Sequence, residues 1–394
     1  MESRRLFEEN VKTKKFEATV LSCQEEKGRY KIVLDSTAFF PEGGGQPGDQ
    51  GMFFPGLKET EDGIPVLDTR EKDGVIYHYT KAPIAENTRI LGSLDWEKRL
   101  RNMQNHSGEH ILSGIIYAKY GYHNVGFHMG SDMVTLDLDG VIKPEELPVL
   151  EAQVNEVIQK DLPVEIRYPG EEELSHMDYR SKKAIDGQIR IVQIPGYDTC
   201  ACCGTHVEHT GEIRLVKLLG MQNYKGGVRI SMLAGKDARD DYDRKHAMIQ
   251  DAMHLLSVKS DKVVDGIQKA LDNQAALKSK LIALQRQIGQ EKAEAILEGT
   301  RKVCFLEPNF QMDELREMAN KAALRAEVVL GLLPVKEGVC QYVLISNSAD
   351  VREMGRKLNL CFMGKGGGQP SMVQGTLFGE GEEIREYFME NLEV

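Results

Sequence analysis

The chain has 394 residues, 41% of them apolar and 28% charged, the profile of a globular protein with two or three domains. It has no run of about 18 apolar residues, and its mixed-charge start, Met1-Glu-Ser-Arg-Arg-Leu-Phe, lacks a secretory h-region. The net charge of −11 excludes a generic basic nucleic-acid coat, so any polyanionic partner must meet a small, local basic face.

Up to about residue 90 the sequence predicts short strands broken by glycine. Phe16–Leu21, Arg29–Leu34 and Val75–His78 are rich in β-branched and aromatic residues, as in a small antiparallel sheet or barrel. Asp95 then caps a helix that starts at Trp96 and stops near Gly121. Strands follow at Met133–Leu138, Val164–Tyr168, Gln188–Ile194, Ile213–Leu219 and Val228–Leu233, with a helix from about Pro144 to Gln159. From Lys236 to Leu297 there is no proline, and Val263, Ile267, Ala270, Gln274, Leu277, Leu281, Leu284 and Ile288 recur in steps of three and four. That seam predicts either two amphipathic helices packed on the body or a dimerising coiled coil, bent at Gly266. A second α/β piece has strands at Val303–Leu306, Glu327–Leu333 and Cys340–Ser346 and a helix at Asp313–Arg325. It closes with a glycine loop, Gly364–Gln369, and a last helix around Glu382–Asn391. The expected architecture is α+β in four parts: a barrel-like subdomain (1–90), an α+β domain (91–235), a helical segment (236–297) and a C-terminal α/β domain (298–394).

Four clusters could carry chemistry. His106-Ser-Gly-Glu109-His110 lies inside the Trp96 helix, where residues four apart share a face, so both imidazoles can reach one ion. Cys202-Cys-Gly-Thr-His206 offers a thiolate and an imidazole in one short loop, the mixed donor set that suits tetrahedral Zn2+. Cys200 and Cys203 compete with Cys202 as the thiol. Seven cysteines, an odd number with three of them crowded here, read as reduced thiols for metal or catalysis in a cytoplasmic enzyme. His106–His110 also fits H-x-x-E-H, an inverted zinc-peptidase pattern with Glu109 as base. That reading is disfavoured, because such sites usually finish the coordination with a carboxylate. The second cluster, Asp35-Ser-Thr37-Ala-Phe-Phe-Pro-Glu-Gly-Gly-Gly-Gln46, combines glycines for close backbone approach with polar groups that could orient a small ligand. The third is the basic helix start Trp96-Glu-Lys98-Arg99-Leu-Arg101, either a solvated face or an RNA contact. The fourth is Gly364–Gln369 with Lys365, which lacks the G-x4-G-K-[ST] pattern of a nucleotide phosphate loop.

The D-x-T-x-F-F-P-E-G-G-G-Q stretch, the H-x3-H helix and the C-x-G-T-H loop, in this order, resemble the editing domain of alanyl-tRNA synthetase. They resemble still more its free-standing relatives, the AlaX trans-editing proteins. The helical segment and the Gly364–Gln369 loop resemble the synthetase's C-terminal, DHH-associated domain, so nearly the whole chain looks like the long form of AlaX, without an aminoacylation core. The resemblance implies hydrolysis of the ester in Ser-tRNA(Ala), and of Gly-tRNA(Ala), by an enzyme that needs Zn2+ and binds no membrane. It implies His106, His110, Cys202 and His206 as metal ligands, Thr37 against the seryl hydroxyl and Gln46 in the pocket. Gly126 and Arg229 fall in segments resembling pocket walls. Lys365 falls in a domain that would contact tRNA away from the acceptor end and, with the helices, form a homodimer. Glu109 stands where synthetase editing domains commonly carry threonine, and Cys203 where they carry glycine. Glu109 is then either a base or a partner to an imidazole. A tRNA-binding zinc protein without turnover is the alternative.

Overall fold

In the computed structural model, which describes residues 3–181 and 188–393, the chain forms two compact units, 1–248 and 249–394. In the first unit, strands β1 (Lys15–Glu26), β2 (Arg29–Leu34), β3 (Gly51–Pro55), β4 (Ile64–Lys72), β5 (Val75–Thr80) and β6 (Arg89–Leu94) close into a barrel. The order is β1-β2-β5-β4-β3-β6, and every pairing is antiparallel. Alternation along the strands turns Phe16, Ala18, Val20, Ile32, Leu34, Phe53, Val66 and Ile90 inward, where they pack on Phe39 of the motif loop. The sequence pattern reveals β1, β2 and β5 but misses β3, β4 and β6, because glycine and proline interrupt them. Gly92 in β6 shows why a poor strand former belongs there. A Cβ at that position would meet the Phe16 ring at 2.5 Å.

Helix α1 spans Trp96–Tyr120, as its end signals predict. The Asp95 carboxylate accepts the Lys98 N–H at 3.1 Å, and Gly121 ends the helix with φ of 71°. One face of α1 buries Met103, Ile111, Leu112 and Ile116 in the main core of the unit. That core is shared with helix α2 (Leu147–Gln159) and an antiparallel sheet of β7 (Asn124–Met129), β8 (Val134–Leu138), β12 (Val216–Tyr224) and β13 (Gly227–Ala234), in the order β12-β13-β8-β7. A small sheet of β9 (Glu165–Arg167), β10 (Ile191–Ile194) and β11 (Asp198–Ala201) leads into the cysteine loop.

The other face of α1 holds the barrel. Arg99 has no exposed surface; its Nε donates to Asp49 Oδ2 at 2.8 Å, and its guanidinium also donates to the Ala38 and Val11 carbonyls. Asp49 accepts the Phe40 N–H at 2.7 Å, so the pair pins the motif loop to the helix. Arg101 is tied to Asp237 at 2.7 Å and to the Gly130 and Ser131 carbonyls. Of the basic run read as a solvated face or an RNA contact, these two arginines are thus intramolecular fasteners.

Helix α3 (Gly235–Leu256) starts in the first unit and ends in the second, which continues with α4 (Val263–Glu294). The break falls at Ser257, with φ of 54°, and not at Gly266, which lies in the first turn of α4 with Leu256 and Val258 packed over it. Gln285, Gly289 and Ala293 are the buried residues of α4's second half. Leu277, Leu281, Leu284 and Ile288 of the predicted seam stay 43–66% exposed. The sheet of the second unit contains β14 (Thr300–Leu306), β15 (Ala326–Lys336), β16 (Val339–Ile345), β17 (Lys365–Gln369) and β18 (Met372–Phe378), in the order β14-β15-β16-β18-β17. Only β14 and β15 run parallel; helices α5 (Met312–Ala322), α6 (Arg352–Cys361) and α7 (Gly381–Asn391) complete the unit. The predicted loop Gly364–Gln369 is therefore an edge strand. Its glycines permit the pairing, since a Cβ at Gly366 would come within 2.5 Å of Tyr342 Oη.

Replacing Arg99 by leucine strands the buried Asp49 carboxylate. A loss of about 3–5 kcal/mol is expected, measured as a lowered urea midpoint for the first unit.

Candidate metal centre

Helix α1 presents His106 and His110 on one face, one turn apart, and the loop after β11 brings Cys202 and His206 against them. The ligand atoms of these four residues lie within 4.8 Å of one another. The imidazole centroids of His106 and His110 are 4.4 and 4.5 Å from that of His206, and Cys202 Sγ is 3.4 Å from His106 Nε2. Nε2 of His110 and of His206 is buried without a hydrogen-bond partner. Two buried lone-pair donors left bare beside a thiol are costly unless a cation takes them. Gly204 makes the approach possible. A Cβ there would lie 2.1 Å from His106 Cε1.

Each imidazole is aimed by its other nitrogen. His106 Nδ1 donates to Gln46 Oε1 at 3.0 Å, His110 Nδ1 to Asp198 Oδ2 at 2.8 Å, and His206 Nδ1 meets Ser107 Oγ at 3.2 Å. These contacts select the tautomer that leaves Nε2 for a metal, the usual way protein sites orient histidine. Gln46 also accepts the Thr205 N–H at 3.1 Å and donates to Thr205 Oγ1 at 2.8 Å, joining the motif loop to the cysteine loop. Arg180 pairs with Asp198 through bonds of 2.7 and 3.0 Å, so that carboxylate is itself neutralised.

The electrostatics suit a cation. Burial opposes the Cys202 thiolate, but the charge and hydrogen bond of His106, with the other two imidazoles alongside, outweigh it and hold the thiol well below its ordinary value. Burial and the neighbouring imidazoles push His206 down, towards the neutral ligand form. His110 goes the other way: burial alone would lower it, but Asp198 and Cys202 push it up to about 9.

Thr37, Glu109, Gly126, Arg229 and Lys365 are not among the four donors. Thr37 is buried in the barrel, where His78 Nδ1 donates to the Ile32 carbonyl at 3.1 Å, leaving Nε2 to accept the Thr37 hydroxyl at 2.8 Å. The Phe39 N–H donates to the same hydroxyl at 3.1 Å, so Thr37 retains one lone pair. Glu109 is fully buried, but its carboxylate accepts from Ser113 Oγ and Asn124 Nδ2 and is outside the four-donor group. Gly126 and Arg229 both border Asp137: a Cβ at Gly126 would lie 2.7 Å from its Oδ2, and the Arg229 guanidinium binds it bidentately at 2.5 and 2.8 Å. Lys365 is exposed on the edge strand of the second unit. Of the two competing thiols, Cys200 is buried with its pKa pushed up by burial, and Cys203 is exposed. Sequence reasoning missed Asp198, Arg180, Ser107 and His78. Only Ser107, beside His106, and Asp198, four residues before Cys202, carried a positional hint.

A family model described as the threonyl and alanyl tRNA synthetase second additional domain matches residues 189–231, and one for class II (A) tRNA synthetases matches residues 3–98. The alanyl-tRNA editing protein AlaX-L of Pyrococcus horikoshii is 29% identical, over 98% of this chain and 98% of its own length. The chain resembles an AlaX-type editing protein along nearly its whole length. Alanyl-tRNA editing protein Aarsd1 of Danio rerio is 26% identical over 91% of this chain and 90% of its own. The alanine–tRNA ligase of Pyrococcus abyssi is 28% identical over 95% of this chain, which spans only 42% of that ligase. Within this AlaX-like chain the two family matches cover the motif loop with Gln46 and the loop with Cys202 and His206.

Two outcomes follow from the site. Asp198→Asn frees the His110 ring and is expected to weaken metal affinity about 10–100-fold, read by competition with a chelating dye. Burial drops His78 to about 4 from 6.5, although its bond to Ile32 opposes this. The unfolded chain therefore binds the extra proton, and up to about 3 kcal/mol of stability is lost as pH falls from about 6.5 to 4. His78→Asn should flatten that part of the stability–pH curve, measured by urea unfolding at successive pH values.

Proposed function

We propose that the protein is a zinc-dependent deacylase that hydrolyses the ester of Ser-tRNA(Ala), and of Gly-tRNA(Ala), in trans. One observation carries the reading: His106, His110, Cys202 and His206 converge with two imidazole nitrogens bare, in a chain that matches alanyl-tRNA editing proteins nearly end to end. Three nitrogens and one thiolate form the donor set zinc prefers. Zinc bound there supplies a fixed positive charge at which an ester can be oriented. Four protein donors fill a tetrahedral shell, so the role assigned to it is positional.

The chain's own side chains supply discrimination. Serine differs from alanine by one hydroxyl, which a primary pocket rejects poorly and a second site can read. Thr37, its proton committed to His78, has a lone pair with which to accept the seryl O–H. Alanine would leave that lone pair unpaired. Gln46 keeps the ligand His106 in register with the motif loop. Gly126 and Arg229, ordered around Asp137, form a wall for the acyl group or terminal ribose. The carboxylate of Glu109, engaged by Ser113 and Asn124, serves as support for the α1 face. Water activation by Glu109 would require it to leave both partners, which also speaks against a peptidase. The second unit, with Lys365 on its edge strand, is assigned to tRNA binding, and the exposed seam of α4 to homodimerisation. Seven free thiols fit a reducing, cytoplasmic setting.

The test is ester loss from Ser-tRNA(Ala) and Ala-tRNA(Ala). The seryl ester should be cleaved and the alanyl ester spared, with Cys202→Ala and His106→Ala inactive. Thr37→Val should narrow the Ser/Ala preference by roughly ten- to hundredfold. Binding of tRNA without turnover of either ester would leave only a zinc-holding tRNA binder.

A further inference from the structure

We infer that Arg190 is a positioning residue that selects Cys202, and not Cys203, as the thiol of the metal centre. The inference rests on the four-donor site and not on which ester is cleaved. Three neighbouring cysteines compete for that site, and each is held differently. Cys200 belongs to β11, where Val192 of β10 pairs with it on one side and Arg180 on the other, so the ladder fixes its direction. The strand ends at Ala201. Cys202, Cys203 and Gly204 lie beyond it, where no ladder decides which of the two remaining thiols turns toward the histidines.

Arg190 takes over where the strand stops. Its carbonyl accepts the Cys202 N–H at 3.1 Å, and its Nη1 donates to the Cys202 carbonyl at 2.7 Å and to the Gly204 carbonyl at 3.1 Å. Both backbone groups of Cys202 are thus bound by one residue, and the two carbonyls gathered by one guanidinium nitrogen stand on either side of Cys203. A turn pinned at those points sets Cys202 Sγ 3.4 Å from His106 Nε2, where the Gly204 N–H also donates to it at 3.4 Å. Cys203 is left exposed, beside Arg190 in a cleft of about 360 Å³. Gly204 makes room for the His106 ring, and Arg190 orients the turn that brings Cys202 to it.

The charge of Arg190 is committed to this task. Arg99, Arg101, Arg180 and Arg229 are each tied to an aspartate, whereas Arg190 makes no ion pair among the described residues. Carboxylates do line its cleft, but other cations hold them: Arg5 takes Glu71 at 2.5 Å and Glu8 at 3.5 Å, and Arg70 takes Glu42 at 3.2 Å. The Nε of Arg190 is buried without a hydrogen-bond partner, a cost that the charge-assisted bonds to the loop offset.

The experiment uses the full-length protein, stripped of metal by a chelator and titrated with Co2+, whose near-ultraviolet absorption reports thiolate donors. The unaltered protein and Cys203→Ala should both show the thiolate band, and Cys202→Ala should lose it. Arg190→Met should bind Co2+ about tenfold more weakly. The decisive variant is Arg190→Met/Cys202→Ala. With the turn released, Cys203 should replace Cys202 and restore the band, and adding Cys203→Ala should remove it again. A general loosening of the fold would weaken binding without bringing the band back. A band already present in Cys202→Ala overturns the inference, because Cys203 then reaches the metal with Arg190 in place. So does its absence from Arg190→Met/Cys202→Ala when circular dichroism shows that variant folded. Should it not fold, Arg190→Lys/Cys202→Ala, with a shorter and freely rotating donor, is judged by the same band. No thiolate band in the unaltered protein would defeat the metal centre and this role with it, whereas the expected bands together with inert esters would defeat only the deacylase reading.

Discussion

Bare imidazole nitrogens in a dry interior are expensive, and the first unit gathers three imidazoles, two of them with a bare nitrogen, and a thiol to one point. The donors come from a helix and from a loop about a hundred residues later, so no local rule keeps them together. What keeps them together is a ring of hydrogen bonds one layer out: Gln46 from the barrel, Ser107 from the helix, and Asp198 with Arg180 from the small sheet. The motif loop, helix α1 and the small sheet thus each contribute a contact to the aim of one ring. Charge follows the same plan, since the thiolate is stabilised by the imidazoles that flank it.

The barrel and helix α1 are joined by an equally buried interaction. Arg99 reaches from the first turns of α1 to Asp49 and to the Ala38 carbonyl, both in or beside the glycine motif. Seven residues further along the same helix, His106 binds Gln46 of that motif. Two anchors on one rigid helix hold the motif loop at both of its ends. The loop's glycines are then needed because the backbone is pressed close, as at Gly45, where a Cβ would strike Phe127, the ring stacked on His106.

Polar residues that looked like candidates for chemistry are often committed to architecture. Arg101 and Arg229 are spent on Asp237 and Asp137, and Glu109 on Ser113 and Asn124. On the barrel, Lys31 and Arg70 are likewise tied to Glu26 and to Asp68 and Glu42.

The sequence by itself determined helix α1, its cap and its stop, because an Asp95 cap, a 3.6-residue period and Gly121 are local signals. It brought forward His106, His110 and His206 with one of three nearby cysteines as candidate donors, and only the resemblance to the editing family singled out Cys202. It could not decide which of three neighbouring cysteines meets the histidines. That choice rests on Gly204 admitting the His106 ring, a contact across about a hundred residues. Nor could it identify Asp198, Arg180 or His78, whose meaning lies in partners distant along the chain. The glycine run at 364–369 reads as a loop by composition and becomes a strand only because a neighbouring strand passes close enough to pair with it. Local propensity names the pieces; the partner that satisfies each buried polar group exists only after the chain has folded.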